Sequence, residues 1–123
     1  MKLFILALLF PVSLLAENIT PTKAKTLLEE KDPPQVIDIR TKKEFNEGHI
    51  KGAKQIDFYG SDFEQKLDKL DKKKRYIMHC KSGGRSGKSL KIWKKLGFKQ
   101  VYHLNTGFDG WKAAELPIEK TKG

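Results

Sequence analysis

The chain has one cysteine, Cys80, among its 123 residues. A single thiol cannot form an internal disulfide, so it is a free functional group, an inert buried residue or a partner for another chain. Cys80 directly follows a short apolar run and precedes a glycine-rich turn. That position favours a functional thiol.

Residues that bind metals are also sparse. The three histidines, His49, His79 and His103, lie far apart in the sequence. Together with one cysteine they do not give a recognisable ligand spacing, so we predict neither a metal site nor a cofactor. His79 and Cys80 are neighbours in a predicted strand, where adjacent side chains point to opposite faces. We therefore expect His79 to pack or bond away from the thiol.

Acidic residues are outnumbered, with 15 Asp and Glu against 25 Lys and Arg. Aromatic residues make up only 10 % of the chain, and they are not interleaved with the basic residues as a stacking platform for bases would require. We therefore predict a solvated basic surface that attracts small anions, and no binding to nucleic acid.

Long apolar runs are absent except for one at the start, Leu3 to Leu15, which follows a lysine. Such a run is typical of a secretory signal peptide and is short for a transmembrane helix. We predict a signal peptide over residues 1–16, export to the bacterial periplasm and one domain over residues 17–123. An uncleaved anchor is the alternative, because Leu14 stands where cleavage after Ala16 favours a small residue.

Helical and strand patterns alternate along the predicted domain. Thr20 is a predicted N-cap, and Thr41 and Ser61 each open a predicted capping box. Apolar strands are predicted at Gln35–Ile39, Gln55–Phe58, Tyr76–Met78 and Gln100–Leu104. This alternation predicts an α/β domain whose mainly parallel sheet has helices on both faces, with its site beyond the carboxyl ends of the strands.

The segment Tyr76–Ser89 joins a buried strand to a helix through a turn rich in glycine and serine. Such a turn directs several backbone N–H groups, and the positive end of a helix dipole, at one spot that binds anions. A thiol at this spot ionises more readily, because the N–H groups favour the thiolate. The sequence therefore predicts that Cys80 is a nucleophile activated by the backbone.

Three separated motifs resemble the signatures of rhodanese domains. They are Ile37 to Arg40 with Glu44-Phe45 and Gly48 to Ala53, the loop Cys80 to Ser86, and the closing segment Leu96 to Trp111. The resemblance implies a three-layer rhodanese-like α/β fold and a single-domain sulfurtransferase, which the predicted signal peptide makes one of the exported type. One departure is Thr106, where the family usually has the first of two glycines. That residue either alters the turn facing the site or shows that a side chain is tolerated there.

The resemblance also implies a two-step reaction on Cys80. The thiolate would take the outer sulfur of thiosulfate, or of a similar small anionic donor, and would pass it from a persulfide to cyanide or a thiol. The expected substrate-binding residues are Lys81, Ser82, Gly83, Gly84, Arg85 and Ser86. Arg85 would bond the loop carbonyls or face the substrate, and Lys81, together with Lys88, would attract the donor.

Asp38 and Arg40 are the expected supporting residues, because their strand ends beside the strand that carries Cys80. We expect Asp38 to bond loop amides beneath the site and Arg40 to form an ion pair with Glu44. His49 lies in a signature turn and is expected to be structural. His103 has no evident partner in the sequence.

Three other functions use similar residues. A persulfide carrier that passes sulfur to a partner protein would need the same cysteine and loop. Related phosphatases have five residues between the cysteine and the arginine, whereas four precede Arg85 here, which favours transfer of sulfur. Ser82 to Ser89 nearly spells a nucleotide P-loop, but Ser82 replaces its first glycine, so we reject that function.

Overall fold

A computed structural model describes residues 14–121. Its strands are β1 Leu15–Asn18, β2 Gln35–Asp38, β3 Lys54–Gln55, β4 Arg75–His79 and β5 Gln100–His103. They form one sheet in the order β1-β5-β4-β2-β3, and every neighbouring pair is parallel. The predicted α/β class with a parallel sheet is confirmed.

Helices cover both faces of this sheet. They are α1 Pro21–Leu28, α2 Lys42–Glu47, α3 Phe63–Asp68, α4 Gly84–Lys95 and α5 Gly107–Ala113. Buried residues of α3 and α4 form one core cluster with the sheet, and those of α1 and α5 form a second. The two clusters lie on opposite faces because side chains alternate along a strand. In β4, Tyr76 and Met78 belong to the first cluster and Ile77 belongs to the second.

Two of the three N-caps that the sequence predicts are present in the structure. The Thr20 and Thr41 hydroxyl groups accept hydrogen bonds from backbone N–H groups of the first turn, and Thr41 forms the predicted capping box with Glu44. The capping box predicted at Ser61 is wrong. The N-cap of α3 is Asp62, which makes no side-chain capping bond, because the chain enters that helix through a turn at Gly60.

Strand β1 was not among the predicted strands. Most of the predicted signal peptide, residues 1–13, lies outside the described residues. Leu15 and Ala16 pair with β5, so cleavage after Ala16, which stays a prediction, would leave Glu17 and Asn18 on the sheet. Between residues 14 and 121, no helix is long and apolar enough to cross a bilayer.

Candidate active site

Cys80 lies directly after β4, at the carboxyl end of a central strand, and a three-residue loop then leads into α4. The residue is buried, with 1 % of its surface exposed. Lys81 and Ser82 of that loop, and Gly84, the first residue of α4, are exposed. The thiol therefore lies at the base of a surface loop at the edge where ligands bind in parallel sheets.

Two groups of the loop and helix contact the sulfur. The backbone N–H of Gly83 donates to Sγ at 3.1 Å, and the hydroxyl oxygen of Ser86 lies 3.3 Å from Sγ. Burial raises the pKa of the Cys80 thiol, but the Ser86 hydroxyl and the N–H groups of Ser86, Gly83 and Ser82 outweigh burial. The pKa therefore lies below the ordinary value for a cysteine, as predicted.

Helix α5 holds the carbonyl groups of Cys80 and Lys81, where the chain leaves β4. The N–H groups of Phe108 and Asp109, in the first turn of α5, donate to the carbonyl oxygens of Cys80 and Lys81 at 2.9 and 3.0 Å. Because a peptide group is planar, the carbonyl of Lys81 and the N–H of Ser82 point in opposite directions. Helix α5 therefore orients the N–H of Ser82, one of the groups that lower the pKa of the thiol.

This arrangement requires glycine at two close contacts. Gly83 has φ +104°, and a Cβ there would lie 2.3 Å from the carbonyl oxygen of Asn105. Gly107 has φ +68°, and a Cβ there would lie 2.3 Å from the carbonyl oxygen of Lys81. Both neighbours are backbone atoms, so a side chain at either position would displace the loop.

The two cationic side chains nearest the thiol in sequence, Lys81 of the loop and Arg85 of α4, are each paired with a carboxylate. Both terminal nitrogens of Arg85 donate to the carboxylate of Glu44, at 2.7 and 2.9 Å. Lys81 Nζ lies 2.8 Å from Asp109 Oδ2, and this pair is exposed. Arg85 thus bonds Glu44 rather than the loop carbonyls, and its expected role of facing the substrate stays a prediction. The Ser86 hydroxyl and the backbone N–H groups therefore lower the pKa of the thiol. Glu44 first, and the Cys80 thiolate in addition, raise the pKa of Arg85, so this cation also favours the thiolate.

The supporting residues are arranged differently from the prediction. Asp38 does not bond the loop amides, since its carboxylate accepts from the backbone N–H and the guanidinium of Arg40. Arg40 does not pair with Glu44, whose partner is Arg85. Arg40 also donates to the carbonyl oxygen of Gly48, and its guanidinium stacks on Phe108. A buried charge needs close partners, and the nearest carboxylate two residues away supplies one.

His79 is oriented as the alternation of side chains along β4 predicts. His79 Nδ1 donates to the carbonyl oxygen of Cys80 at 2.8 Å, so the expectation that it bonds away from the thiol is confirmed. Burial lowers the pKa of His79, although the nearby Asp38 carboxylate acts in the opposite sense.

The other two histidines lie outside β4. His49 stacks on the ring of Phe45 and bonds the Phe45 carbonyl oxygen, which is a structural role. His103 has a partner after all, because its Nε2 lies 2.7 Å from Ser86 Oγ.

A cleft of about 340 Å³ borders the loop on the side of Lys81. Its lining includes Arg40, Phe108, Lys112 and Lys120. The lining holds four cationic side chains and three carboxylates, and Lys112 and Lys120 are its cations outside the ion pairs of Arg40 and Lys81.

Comparison with known families decides the assignment. The rhodanese-like domain family matches residues 20–114, which contain the loop and the helix that orients it. The chain belongs to the rhodanese family. The family model covers well over half of the chain, and the predicted rhodanese-like fold and family are thereby confirmed.

Relatives of this rhodanese include named sulfurtransferases. It is 31 % identical to thiosulfate sulfurtransferase GlpE of Glaesserella parasuis over 102 residues, which cover 83 % of this chain and 92 % of that protein. It is 32 % identical to GlpE of Pseudomonas aeruginosa over 108 residues, covering 87 % and 93 %. A rhodanese-like domain protein from Staphylococcus aureus matches the structure with TM-score 0.74 at 27 % identity, covering 86 % and 99 %. These similarities support sulfurtransferase activity in the broad sense.

In this rhodanese, Thr106 is accommodated by a second glycine. Thr106 is the N-cap of α5 and has φ −76°, which any residue adopts. A Cβ on Gly110 would lie 2.2 Å from Thr106 Oγ1 and 2.5 Å from Thr106 Cβ. The side chain at 106 is therefore tolerated because position 110 has none.

We expect Gly110→Ala to lower the free energy of unfolding by about 1–3 kcal/mol, because the added methyl group meets a side chain that cannot rotate away. Adding Thr106→Gly should restore most of that loss, since the contact disappears. Urea unfolding of both single variants and the double variant measures the coupling. An equal loss in Gly110→Ala with and without Thr106→Gly would contradict this explanation.

The ion pair between Glu44 and Arg85 gives this rhodanese a pH-dependent stability. The hydrogen bond from Arg85 is the largest cause that lowers the pKa of Glu44 from 4.5 to about 2. A carboxyl group with a lowered pKa contributes stability above its ordinary pKa. That contribution is lost as pH falls from about 4.5 toward about 2.

We expect Glu44→Gln to lower the free energy of unfolding by about 1–2 kcal/mol near neutral pH, because the half-buried pair loses its charge. Glutamine still serves as the third residue of a capping box, so α2 keeps its N-cap. Thermal unfolding from neutral pH down to about pH 3 should show the two proteins converging. The matched control is Glu47→Gln, exposed on the same helix, which should change stability by less than about 0.5 kcal/mol. A constant difference at every pH would refute the assignment.

The missed residues of the site are Asn18, His103 and Asp109. Asn18 lies 3.1 Å from His103 Nδ1, a contact between residues 85 apart in the chain. No sequence pattern marks that contact, because it depends on β1 pairing with β5. Asp109 could have been singled out as an acidic residue in the first turn of α5, where the helix dipole favours a carboxylate.

Proposed function

We propose that this rhodanese transfers sulfane sulfur from thiosulfate, or a similar small anionic donor, through a persulfide on Cys80 to cyanide or a thiol. One observation carries the proposal. The only thiol of the chain accepts a backbone N–H bond at the base of a loop whose carbonyl groups are held by α5. That geometry stabilises a thiolate, the form that attacks sulfur.

The first step forms a bond between the Cys80 thiolate and the outer sulfur of thiosulfate. The bond between the two sulfur atoms of the donor breaks, and sulfite leaves with the electron pair. In the second step, cyanide or a thiolate attacks the terminal sulfur of the persulfide. The persulfide S–S bond then breaks and returns the Cys80 thiolate, so no external oxidant or reductant is consumed.

The donor would bind over the loop residues Lys81 to Ser86. The N–H groups of Ser82, Gly83 and Ser86 already favour a negative charge on the sulfur, and charge-assisted hydrogen bonds of this kind are stronger than neutral ones. Lys81 would serve by leaving its exposed partner Asp109, an exchange that costs little because surface ion pairs are weak. The nearby cleft lysines, Lys112 and Lys120, would raise the local concentration of the anion.

The test is to incubate the purified protein with thiosulfate and measure its intact mass without reductant. We expect a gain of one sulfur atom per chain, and loss of that atom with formation of thiocyanate on adding cyanide. Absence of any sulfur gain, together with hydrolysis of an aryl phosphate, would favour the phosphatase. Against that outcome stands the length of the loop, in which four residues separate Cys80 from Arg85 where the related phosphatases have five.

A persulfide carrier is the second candidate, and Tyr59 favours it. Tyr59 is 69 % exposed, and the Arg85 guanidinium carbon lies 5.6 Å from the centre of its ring. An exposed aromatic side chain beside a reactive loop is typical of a protein-docking surface. A carrier would load sulfur from thiosulfate slowly and deliver it to a partner protein with saturation. Rapid turnover with cyanide and thiosulfate alone would favour the enzyme.

We also propose export to the bacterial periplasm, on the strength of the apolar run Leu3 to Leu15. Fractionation of a bacterial host that expresses the full chain, followed by N-terminal sequencing, tests this proposal. We expect a periplasmic protein that begins at Glu17. Full-length protein retained in the membrane fraction would support the uncleaved anchor instead.

A further inference from the structure

A row of polar groups connects the reactive thiol with strand β1. The Ser86 hydroxyl oxygen lies 3.3 Å from Cys80 Sγ and 2.7 Å from His103 Nε2. The other ring nitrogen of His103, Nδ1, lies 3.1 Å from Asn18 Oδ1. Ser86 is fully buried and His103 is 5 % exposed. The parallel register that sets Asn18 opposite His103 completes the row.

The hydrogen bonds of this row have one consistent direction. Asn18 Oδ1 only accepts, so Nδ1 of His103 carries the proton. Nε2 of a neutral imidazole is then an acceptor, and the Ser86 hydroxyl donates to it. The Ser86 oxygen is left to accept the S–H of Cys80. The row therefore leads a proton from the sulfur toward the imidazole.

We propose that His103 is a positioning residue of the sulfur-transfer site, which accepts through Ser86 the proton that Cys80 loses, while Asn18 holds the required tautomer. This inference rests on the proposed function in that the reaction needs a thiolate. The S–H bond breaks and a proton joins the Ser86 oxygen, which passes its own proton to Nε2. Thiol and neutral imidazole become thiolate and imidazolium, so charge is balanced and no electrons are exchanged.

The surroundings of His103 keep its imidazole neutral until a proton arrives together with a compensating negative charge. Burial, and in second place the neighbouring His79 on β4, lower the pKa of His103. The imidazole is therefore neutral at rest, and its Nε2 is free to accept. Its other polar neighbours, Ser86 on α4 and Asn18 on β1, carry no charge. The imidazolium consequently forms only together with the thiolate, and the two groups titrate as a coupled pair.

The pH dependence of Cys80 alkylation by iodoacetamide tests this role without requiring any sulfur transfer. In His103→Gln the amide can still bond Ser86 but cannot accept a proton. We expect about tenfold slower alkylation near neutral pH and a midpoint about one pH unit higher, with an unchanged limiting rate at high pH. In Asn18→Asp the new carboxylate stabilises the imidazolium, so the midpoint should move below that of the wild type. His49→Gln, outside the row, is the matched control and should leave the midpoint in place.

An unchanged midpoint in His103→Gln, or a higher one in Asn18→Asp, would overturn the relay. The second result is what a negative charge acting directly on the thiol would produce. If His103→Gln does not fold, Asn18→Asp decides alone, because its side chain keeps the size of the original. Sulfur gain from thiosulfate is measured in the same samples. Its absence in the wild type would remove the proposed function, while the alkylation midpoints would still judge the relay.

Discussion

Replacing Cys80 by serine is expected to abolish sulfur gain from thiosulfate and to lower turnover with cyanide by at least about a thousandfold. A serine hydroxyl can accept the same Gly83 N–H bond, so the geometry of the loop should survive. The hydroxyl nevertheless stays protonated where the activated thiol ionises, and it forms no persulfide. Intact-mass measurement detects the missing sulfur atom, and thiocyanate formation measures the lost turnover.

The control for this variant is its stability. Thermal unfolding of Cys80→Ser should remain within a few degrees of the wild type, so that lost activity cannot be attributed to unfolding. Lys91→Ala, on the exposed side of α4, should keep full activity. Sulfur transfer that persists in Cys80→Ser would show that the chemistry occurs elsewhere.

Replacing Gly83 by alanine is expected to be the most damaging single-methyl change in the loop. Its φ of +104° is unfavourable for a residue with a side chain, and the new methyl group would lie 2.3 Å from a backbone carbonyl oxygen of Asn105. We expect a loss of about 2–4 kcal/mol in the free energy of unfolding. Sulfur gain should also fall by at least about a hundredfold where the variant remains folded, because the Gly83 N–H no longer points at the sulfur.

Gly87→Ala is the matched control for that change. Gly87 lies inside α4, and a Cβ there would meet nothing within 4 Å. Alanine should therefore stabilise the protein by about 0.5–1 kcal/mol and leave sulfur gain intact. Urea unfolding gives both stabilities. Similar effects of the two substitutions would contradict the claim that the loop depends on the conformation of Gly83.

The parts of the fold that could be predicted are those encoded locally. The central strand, the glycine-rich turn and the following helix are contiguous in sequence, so the pattern around Cys80 was sufficient to place the thiol at an anion-binding turn. The capping box at Thr41 is likewise a matter of four consecutive residues. Strand β1 was missed because its four exposed residues carry no alternating pattern and adjoin the apolar run.

The parts of the site that could not be predicted depend on contacts between distant residues. Glu44 and Arg85 are 41 positions apart, and Arg40 was an equally plausible partner by charge. The structure separates the two arginines because Arg40 is buried against Asp38, whereas Arg85 reaches Glu44 from α4. Composition alone cannot choose between two cations for one carboxylate.

The most direct test of the central claim compares Cys80 in the folded and denatured states of the same chain. Because the chain has one thiol, the ultraviolet absorbance of the thiolate can be followed against pH without interference from a second cysteine. Cys80→Ser supplies the baseline for tyrosine ionisation. The backbone-activation account predicts a lower ionisation midpoint in the folded protein than in denaturant. A folded midpoint equal to or above the denatured one would contradict it.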